Sequence, residues 1–320
     1  FFVILGLLFL YAIREIAAIF LFALIIASAV NLMVQNLTKL KIPRTLGVIM
    51  IYLMFILILV VLAYFIIPLF VLELKSLAKQ FPELLEKISE EGVIKKYGIS
   101  DNMGQFLETL ISGIQVGSGS IIRISRQLFG GLFAAVSIFV ISLYLSLQEK
   151  GIENFLRLII PKKHENYIIN LWLRSQRKMG RWLQGQLFLS LIIGAAVFIG
   201  LTLLGVRYAL FLAVIAAVFE IIPIVGPIIS AVPAIIIAGL QDPFLGLLTL
   251  ILYVFIQQME NHLVVPSVMR RVTDLNPVIV ILALLVGAKL GGIFGMILAV
   301  PLTAVFVEFL TDITNRKPAS

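Results

Sequence analysis

Long apolar runs separated by short polar connections extend over almost the whole chain. A helix of about 20 apolar residues spans the roughly 30 Å hydrocarbon core of a bilayer. The pattern therefore predicts an all-α membrane protein, a polytopic helical bundle with about six full spans. The predicted spans are 1–13, which is the end of a longer span, 16–34, 46–72, 128–147, 186–204 and 243–258.

A proline- and glycine-rich break interrupts the next apolar stretch. Its legs, 208–222 and 228–240, flank Pro223, Gly226 and Pro227, which interrupt a continuous helix because proline lacks an amide donor. A leg of 13 residues reaches about 20 Å, less than the hydrocarbon core. We therefore expect a re-entrant hairpin whose broken backbone faces protein or a water-filled cavity, as in transporter binding sites.

A second interrupted pair, 276–289 and 291–312, repeats this design. Its break contains Gly291, Gly292 and Gly295, and its return leg contains Pro301. The segments GPIISAVPAI and GMILAVPLTA share an Ile-x-Ala-Val-Pro core, which also arises by chance in a chain rich in alanine and valine. Because the spans before the two hairpins run in opposite directions, we interpret the pair as an inverted repeat, with the transport site between its tips.

Polar content divides the chain into four predicted regions. These are N-terminal membrane spans (1–72), an extracytoplasmic helical segment (73–127), a span followed by a cytoplasmic amphipathic helix (128–182), and a transport core with both hairpins (183–320). Within the second region, 82–90 has the pattern of a short amphipathic helix. This region is either a cap on the bundle or a segment that gates substrate or binds a partner. In the third, 167–182 is typical of an interfacial helix that binds anionic lipid.

Composition excludes several classes of protein. With 61% hydrophobic and 13% charged residues, the chain is not a soluble globule. It has no cysteine and two histidines, so disulfides and zinc centres are not expected, and no cofactor is predicted. The net charge of +8 comes from short basic loops, 35–45 and 148–181, which predict orientation in a bilayer rather than nucleic-acid binding. They place these loops and the C-terminus in the cytoplasm.

Two charges fall inside the predicted membrane segments. Glu220 lies at the end of the first hairpin's entering leg, and Lys289 lies at nearly the corresponding point of the second. Such charges are costly in lipid, so they pair, face water or titrate. Glu220 is thus either a proton carrier, because burial favours its neutral form, or the structural partner of Lys289. A further polar cluster consists of Gln257, Gln258, Glu260 and Asn261.

The C-terminal half carries a set of motifs that together resemble one family. They are Glu220-Ile221-Ile222-Pro223-x-x-Gly226-Pro227, Gln257-Gln258-x-Glu260-Asn261 with Pro266, Asn276-Pro277, and Gly291-Gly292 through Ala299-Val300-Pro301. The chain resembles the autoinducer-2 exporter family of bacterial membrane transporters over essentially its whole length. The resemblance implies a permease of the cytoplasmic membrane that forms a homo-oligomer. Family members are associated with export of the quorum signal autoinducer-2 or with sodium (lithium)/proton antiport.

The sequence leaves three functions open. The first is a secondary transporter that exports a small polar solute such as autoinducer-2, for which amide side chains suffice. The second is a sodium (lithium)/proton antiporter, which requires a titratable group in the membrane, and Glu220 is the candidate. A channel is the third, and broken hairpins favour alternating access over it. Without a GxxxxGK[ST] loop or an HExxH motif, the sequence does not predict ATP coupling or an intramembrane enzyme.

Overall fold

The computed structural model describes residues 13–90, 120–148, 150–269 and 275–315, and within these ranges it contains helices and no strand. The elements are α1 (Arg14–Lys39), α2 (Arg44–Glu90), α3 (Ser120–Leu147), α4 (Gly151–Ile159), α5 (Lys162–Leu203), α6 (Ala209–Phe219), α7 (Val225–Gln241), α8 (Pro243–Met259), a π-helical turn (Glu260–Val264), α9 (Val265–Met269) and α10 (Pro277–Asn315). The predicted all-α class is confirmed. The span predicted over 1–13 lies outside the described residues except for its last position.

Within the described residues, five helical segments are long and apolar enough to cross a membrane, and a sixth is counted if α3 and α4, bent by 81°, form one broken span. The five are Arg14–Lys39, Arg44–Leu69, Lys162–Leu203, Pro243–Val268 and Pro277–Thr314. The helices α6 and α7, with 11 and 17 residues, are shorter apolar elements. The chain is therefore a multi-pass membrane protein, as its hydropathy predicts.

Two helices continue beyond the predicted membrane spans. Helix α2 continues past residue 72 to Glu90, so the predicted amphipathic helix at 82–90 is its last part. Helix α5 likewise joins the predicted interfacial helix 167–182 to the span 186–204 without a break. At both places the sequence changes from apolar to polar but keeps strong helix formers such as leucine, glutamate, lysine and arginine. A fall in hydropathy marks the edge of the membrane but does not end a helix.

Contacts between helices divide the chain into two compact units. The first consists of 1–57, 133–189 and 263–320, and the second of 58–132 and 190–262. In the first unit, α5 lies directly on the backbone of α1, because a Cβ on Gly180 would be 2.5 Å from the Ser28 carbonyl oxygen. Gln184 Nε2 donates to the Ala29 carbonyl at 2.7 Å beside this contact. Glycine at 180 thus permits a close helix crossing that a larger residue would prevent.

The helix predicted at 167–182 to lie on the membrane surface is partly buried in protein. Two of its apolar residues, Met179 and Trp182, are only 3% and 2% exposed. The C-terminal part of the predicted amphipathic face therefore belongs to the protein core.

A cluster of four charges connects α5 to α10 within the first unit. Arg174 lies 3.0 Å from a carboxylate oxygen of Glu308 and donates to Asp312 Oδ1 at 3.1 Å. Lys178 also pairs with Glu308. These side chains are between 15% and 36% exposed, so each pair is screened by solvent and stabilises modestly, although a network stabilises more than isolated pairs.

The absence of cysteine allows a direct test of the topology predicted from loop charges. Single cysteines replacing Lys41, Lys163 and Arg270 are expected to react with a membrane-impermeant maleimide only from the cytoplasmic side, and one replacing Glu90 only from outside. Labelling is compared in intact cells and inverted vesicles. External labelling at position 270 would contradict the opposite insertion of the two hairpins.

Candidate functional site

The first predicted hairpin is present, and it breaks between α6 and α7. Helix α6 ends at Phe219, and the chain continues through residues 220–224 before α7 begins at Val225. In this break, Ile224 has a φ of 69°, a strained value for a β-branched residue. Pro223 lacks an amide hydrogen, and Gly226 donates to the Ile222 carbonyl at 2.9 Å to restart the helix.

Gly226 holds the two legs of this hairpin in direct backbone contact. A Cβ on this residue would lie 1.9 Å from the carbonyl oxygen of Phe219, the last residue of α6. Pro227 beside it is buried, and Pro233 lies inside α7. Any residue with a side chain at position 226 would therefore force the two legs apart.

Two glutamates meet at the break. Glu220 and Glu260 are 1% and 6% exposed, and their side chains interact with each other. Two buried carboxylates in proximity repel each other, and one bound proton would remove that repulsion. The pair is therefore a candidate site for holding a proton.

Glu260 is positioned by helix α8 and by a second hydrogen bond. Residue 260 starts the π-helical turn that follows α8, a distortion frequent at functional sites. Gln257 Nε2 donates to Glu260 Oε2 at 3.0 Å and approaches Asn261 Oδ1 at 3.5 Å. This amide therefore fixes the position of the Glu260 carboxyl group.

The remaining members of the predicted polar cluster lie at its edge. Gln258 and Asn261 are exposed, and the Gln258 carbonyl lies 2.9 Å from Nδ1 of His262. Of the cluster, the structure thus brings Glu260 to Glu220, and Gln257 contacts Glu260. The described residues contain no group of three or more histidines or acids arranged to hold a metal ion.

The second predicted hairpin is also present, as a break inside α10. Gly291 and Gly292 leave the helical conformation, and Gly292 has a φ of 59°. The two legs touch backbone to backbone, since a Cβ on Gly295 would lie 2.1 Å from the Gly287 carbonyl oxygen. Pro301 is buried in the return leg. That these residues line a transport pathway stays a prediction.

The structure gives Glu220 an acidic neighbour, Glu260, and Lys289 is exposed on the second hairpin. The pairing of Glu220 with Lys289 stays a prediction. The sequence contains a pattern that indicates a buried position for Glu260. Thr249, Tyr253, Ile256 and Glu260 follow the i, i+4, i+7, i+11 spacing of a single helix face.

Comparisons with known proteins agree with this architecture. A family model described as "AI-2E family transporter" matches residues 1–315. The chain is 27% identical over 298 residues to "Putative transport protein YueF" of Bacillus subtilis (strain 168), covering 88% of this chain and 80% of that protein. A protein of Thermotoga maritima with the same description of transport is 26% identical over 281 residues, covering 86% and 82%.

Proposed function

Because this chain belongs to the AI-2E family of transporters, we propose that it is a proton-coupled secondary transporter in which Glu220 and Glu260 hold the coupling proton. The observation that carries the proposal is the buried carboxyl pair at the break between α6 and α7. An ionisable group inside a membrane segment is costly and marks a pathway for ions or protons. Two such groups sharing one proton form a site that can exchange it.

The first candidate cargo is a monovalent cation, sodium or lithium. Glu220 and Glu260 offer carboxylate oxygens, the type of ligand that hard cations prefer. The C-terminal end of α6, where the helix dipole is negative, lies at the same break. A cation entering this site would displace the proton, so the two ions compete for one pair of carboxyl groups.

The second candidate cargo is a small polar solute such as autoinducer-2, moved out of the cell. The amide groups of Gln257 and Asn261 near the carboxyl pair favour it, because amides donate and accept hydrogen bonds. With this cargo, the carboxyl pair carries the driving proton and the solute binds to the amides. The proposed setting for either cargo is a homo-oligomer in the bacterial cytoplasmic membrane with a cytoplasmic C-terminus, as the family resemblance and the loop charges indicate.

The test uses the purified full chain in liposomes with a trapped pH-sensitive dye. An inward sodium or lithium gradient is expected to raise the internal pH, because each entering cation releases a proton outward. Choline at the same ionic strength and protein-free liposomes are the controls. If sodium and lithium have no effect but a pH gradient drives autoinducer-2 movement, the solute replaces the cation as cargo. Absence of proton movement with all of these would overturn the proposal.

A further inference from the structure

The buried face of α8 is unusually polar for a helix inside a membrane protein. Its buried residues are Gly246, Thr249, Tyr253 and Ile256, followed by Glu260 in the π-helical turn. Thr249 is fully buried and Tyr253 is 8% exposed. Among the described residues, neither hydroxyl group has a hydrogen-bond partner. Buried hydroxyls are nearly always satisfied, so two unsatisfied ones in one row require an explanation.

Thr249, Tyr253, Ile256 and Glu260 form this row, which lies at the contact between α7 and α8. A Cβ on Gly246 would be 2.7 Å from the Cα of Gly239, which fixes the register of these two antiparallel helices. Counting from this contact, Tyr253 lies at the level of Val232, and Glu260 lies at the level of Val225, beside the break that contains Glu220. The buried residues of α7 along this length are small, namely Gly226, Ser230, Ala234 and Ala238, with Pro227 and the larger Ile237.

The length of the row matches a connection from the carboxyl pair to the end of the helix. Thr249 and Glu260 are eleven residues apart, about 16 Å along the helix axis. Thr249 lies six residues, about 9 Å, from Pro243, where α8 begins. The row thus extends from the carboxyl pair to within two turns of the connection between α7 and α8.

We propose that Tyr253 and Thr249 form a proton path between the Glu220–Glu260 pair and the membrane face at which α7 and α8 are connected. Each hydroxyl oxygen accepts a proton from a neighbouring water and gives its own proton to the next, so both groups end unchanged while one proton leaves the pair. Thr249 and Tyr253 are about one helical turn apart and Tyr253 and Glu260 about two, so the path requires waters that bridge these groups, as waters do at other buried polar sites. This inference rests on the proposed function, because it presupposes that the pair exchanges protons.

The experiment compares Tyr253→Phe with Tyr64→Phe in the full chain, using the trapped pH dye and a sodium or lithium pulse. Tyr64 is 75% exposed, so its hydroxyl is a matched control outside the row. Tyr253→Phe is expected to slow proton release about tenfold with the half-saturating cation concentration unchanged. Its thermal midpoint is expected to stay the same or rise, since the lost hydroxyl has no partner in the described structure.

A second pair of variants, at Thr249, keeps the proposal testable if Tyr253→Phe does not fold. Thr249→Val is expected to slow proton release, and Thr249→Ser, which keeps the hydroxyl, is expected to restore it. Wild-type rates in both Tyr253→Phe and Thr249→Val would overturn the proton path and leave the proposed function standing. Absence of proton movement in the wild type, which retains the row, would overturn both.

Discussion

Glu220→Gln is expected to abolish proton coupling, with a fall of about 100-fold or more in proton flux and loss of the pH dependence of any remaining transport. Glutamine keeps the shape of the side chain and can donate its amide hydrogen to Glu260. It cannot release a proton, so the exchange at the break between α6 and α7 stops. The measurement is the dye-based proton flux in liposomes over a range of external pH.

The acidic partner changes what this variant does to stability. If Glu220 were paired with a lysine, its removal would strand a buried cation and destabilise the protein. Because the neighbour is Glu260, the substitution strands no buried cation and is expected to leave the thermal midpoint unchanged or higher. Glu260→Gln is expected to give the same loss of coupling. Glu15→Gln, at an exposed position, is the control and is expected to behave as wild type.

Two outcomes would contradict this account. Full pH dependence in both Glu220→Gln and Glu260→Gln would remove the carboxyl pair from the coupling mechanism. Unfolding of both single variants would show that the pair is structural. The double variant with glutamine at both positions then distinguishes loss of a hydrogen bond from loss of a proton, because two amides can still bond to each other.

Gly226→Ala is expected to abolish transport and to lower stability by about 3 kcal/mol or more, because the added Cβ would overlap the Phe219 carbonyl oxygen. The neighbouring atom belongs to the backbone, so no change of rotamer relieves the overlap. Transport and the thermal midpoint in detergent are the two measurements.

Gly239→Ala is the matched control for this variant. It lies in the same helix, α7, and an added Cβ there would come no closer than 3.9 Å to its nearest recorded neighbour. It is expected to retain transport. Wild-type transport by Gly226→Ala would mean that the two legs separate freely, and the contact between Gly226 and Phe219 would then have no functional importance.

Much of the fold is predictable from the sequence because backbone polar groups in lipid must form their hydrogen bonds within the protein. Pro223, Gly226 and the glycines at 291 and 292 interrupt helices in apolar segments, and both breaks occur where these residues stand. The ends of α2 and α5 are not predictable from hydropathy, because helix propensity continues where apolar character stops.

The contact between Glu220 and Glu260 is harder to predict from the sequence. Pairing Glu220 with Lys289 follows from the rule that opposite charges attract, and this rule does not predict a contact between two carboxyl groups. The contact of Glu220 with Glu260 instead depends on the antiparallel register of α7 and α8. That register is set by Gly246, where an added Cβ would lie 2.7 Å from the Cα of Gly239, and its importance appears only when the helices are placed side by side.

Both hairpins hold their legs in backbone contact, through Gly226 in the first and through Gly287 and Gly295 in the second, yet their breaks differ. Two glycines, Gly291 and Gly292, form the second break. In the first, five residues separate the helices, one of them in a strained conformation, and Glu220 lies among them. A change in protonation at the carboxyl pair would therefore act directly on the backbone break of the first hairpin.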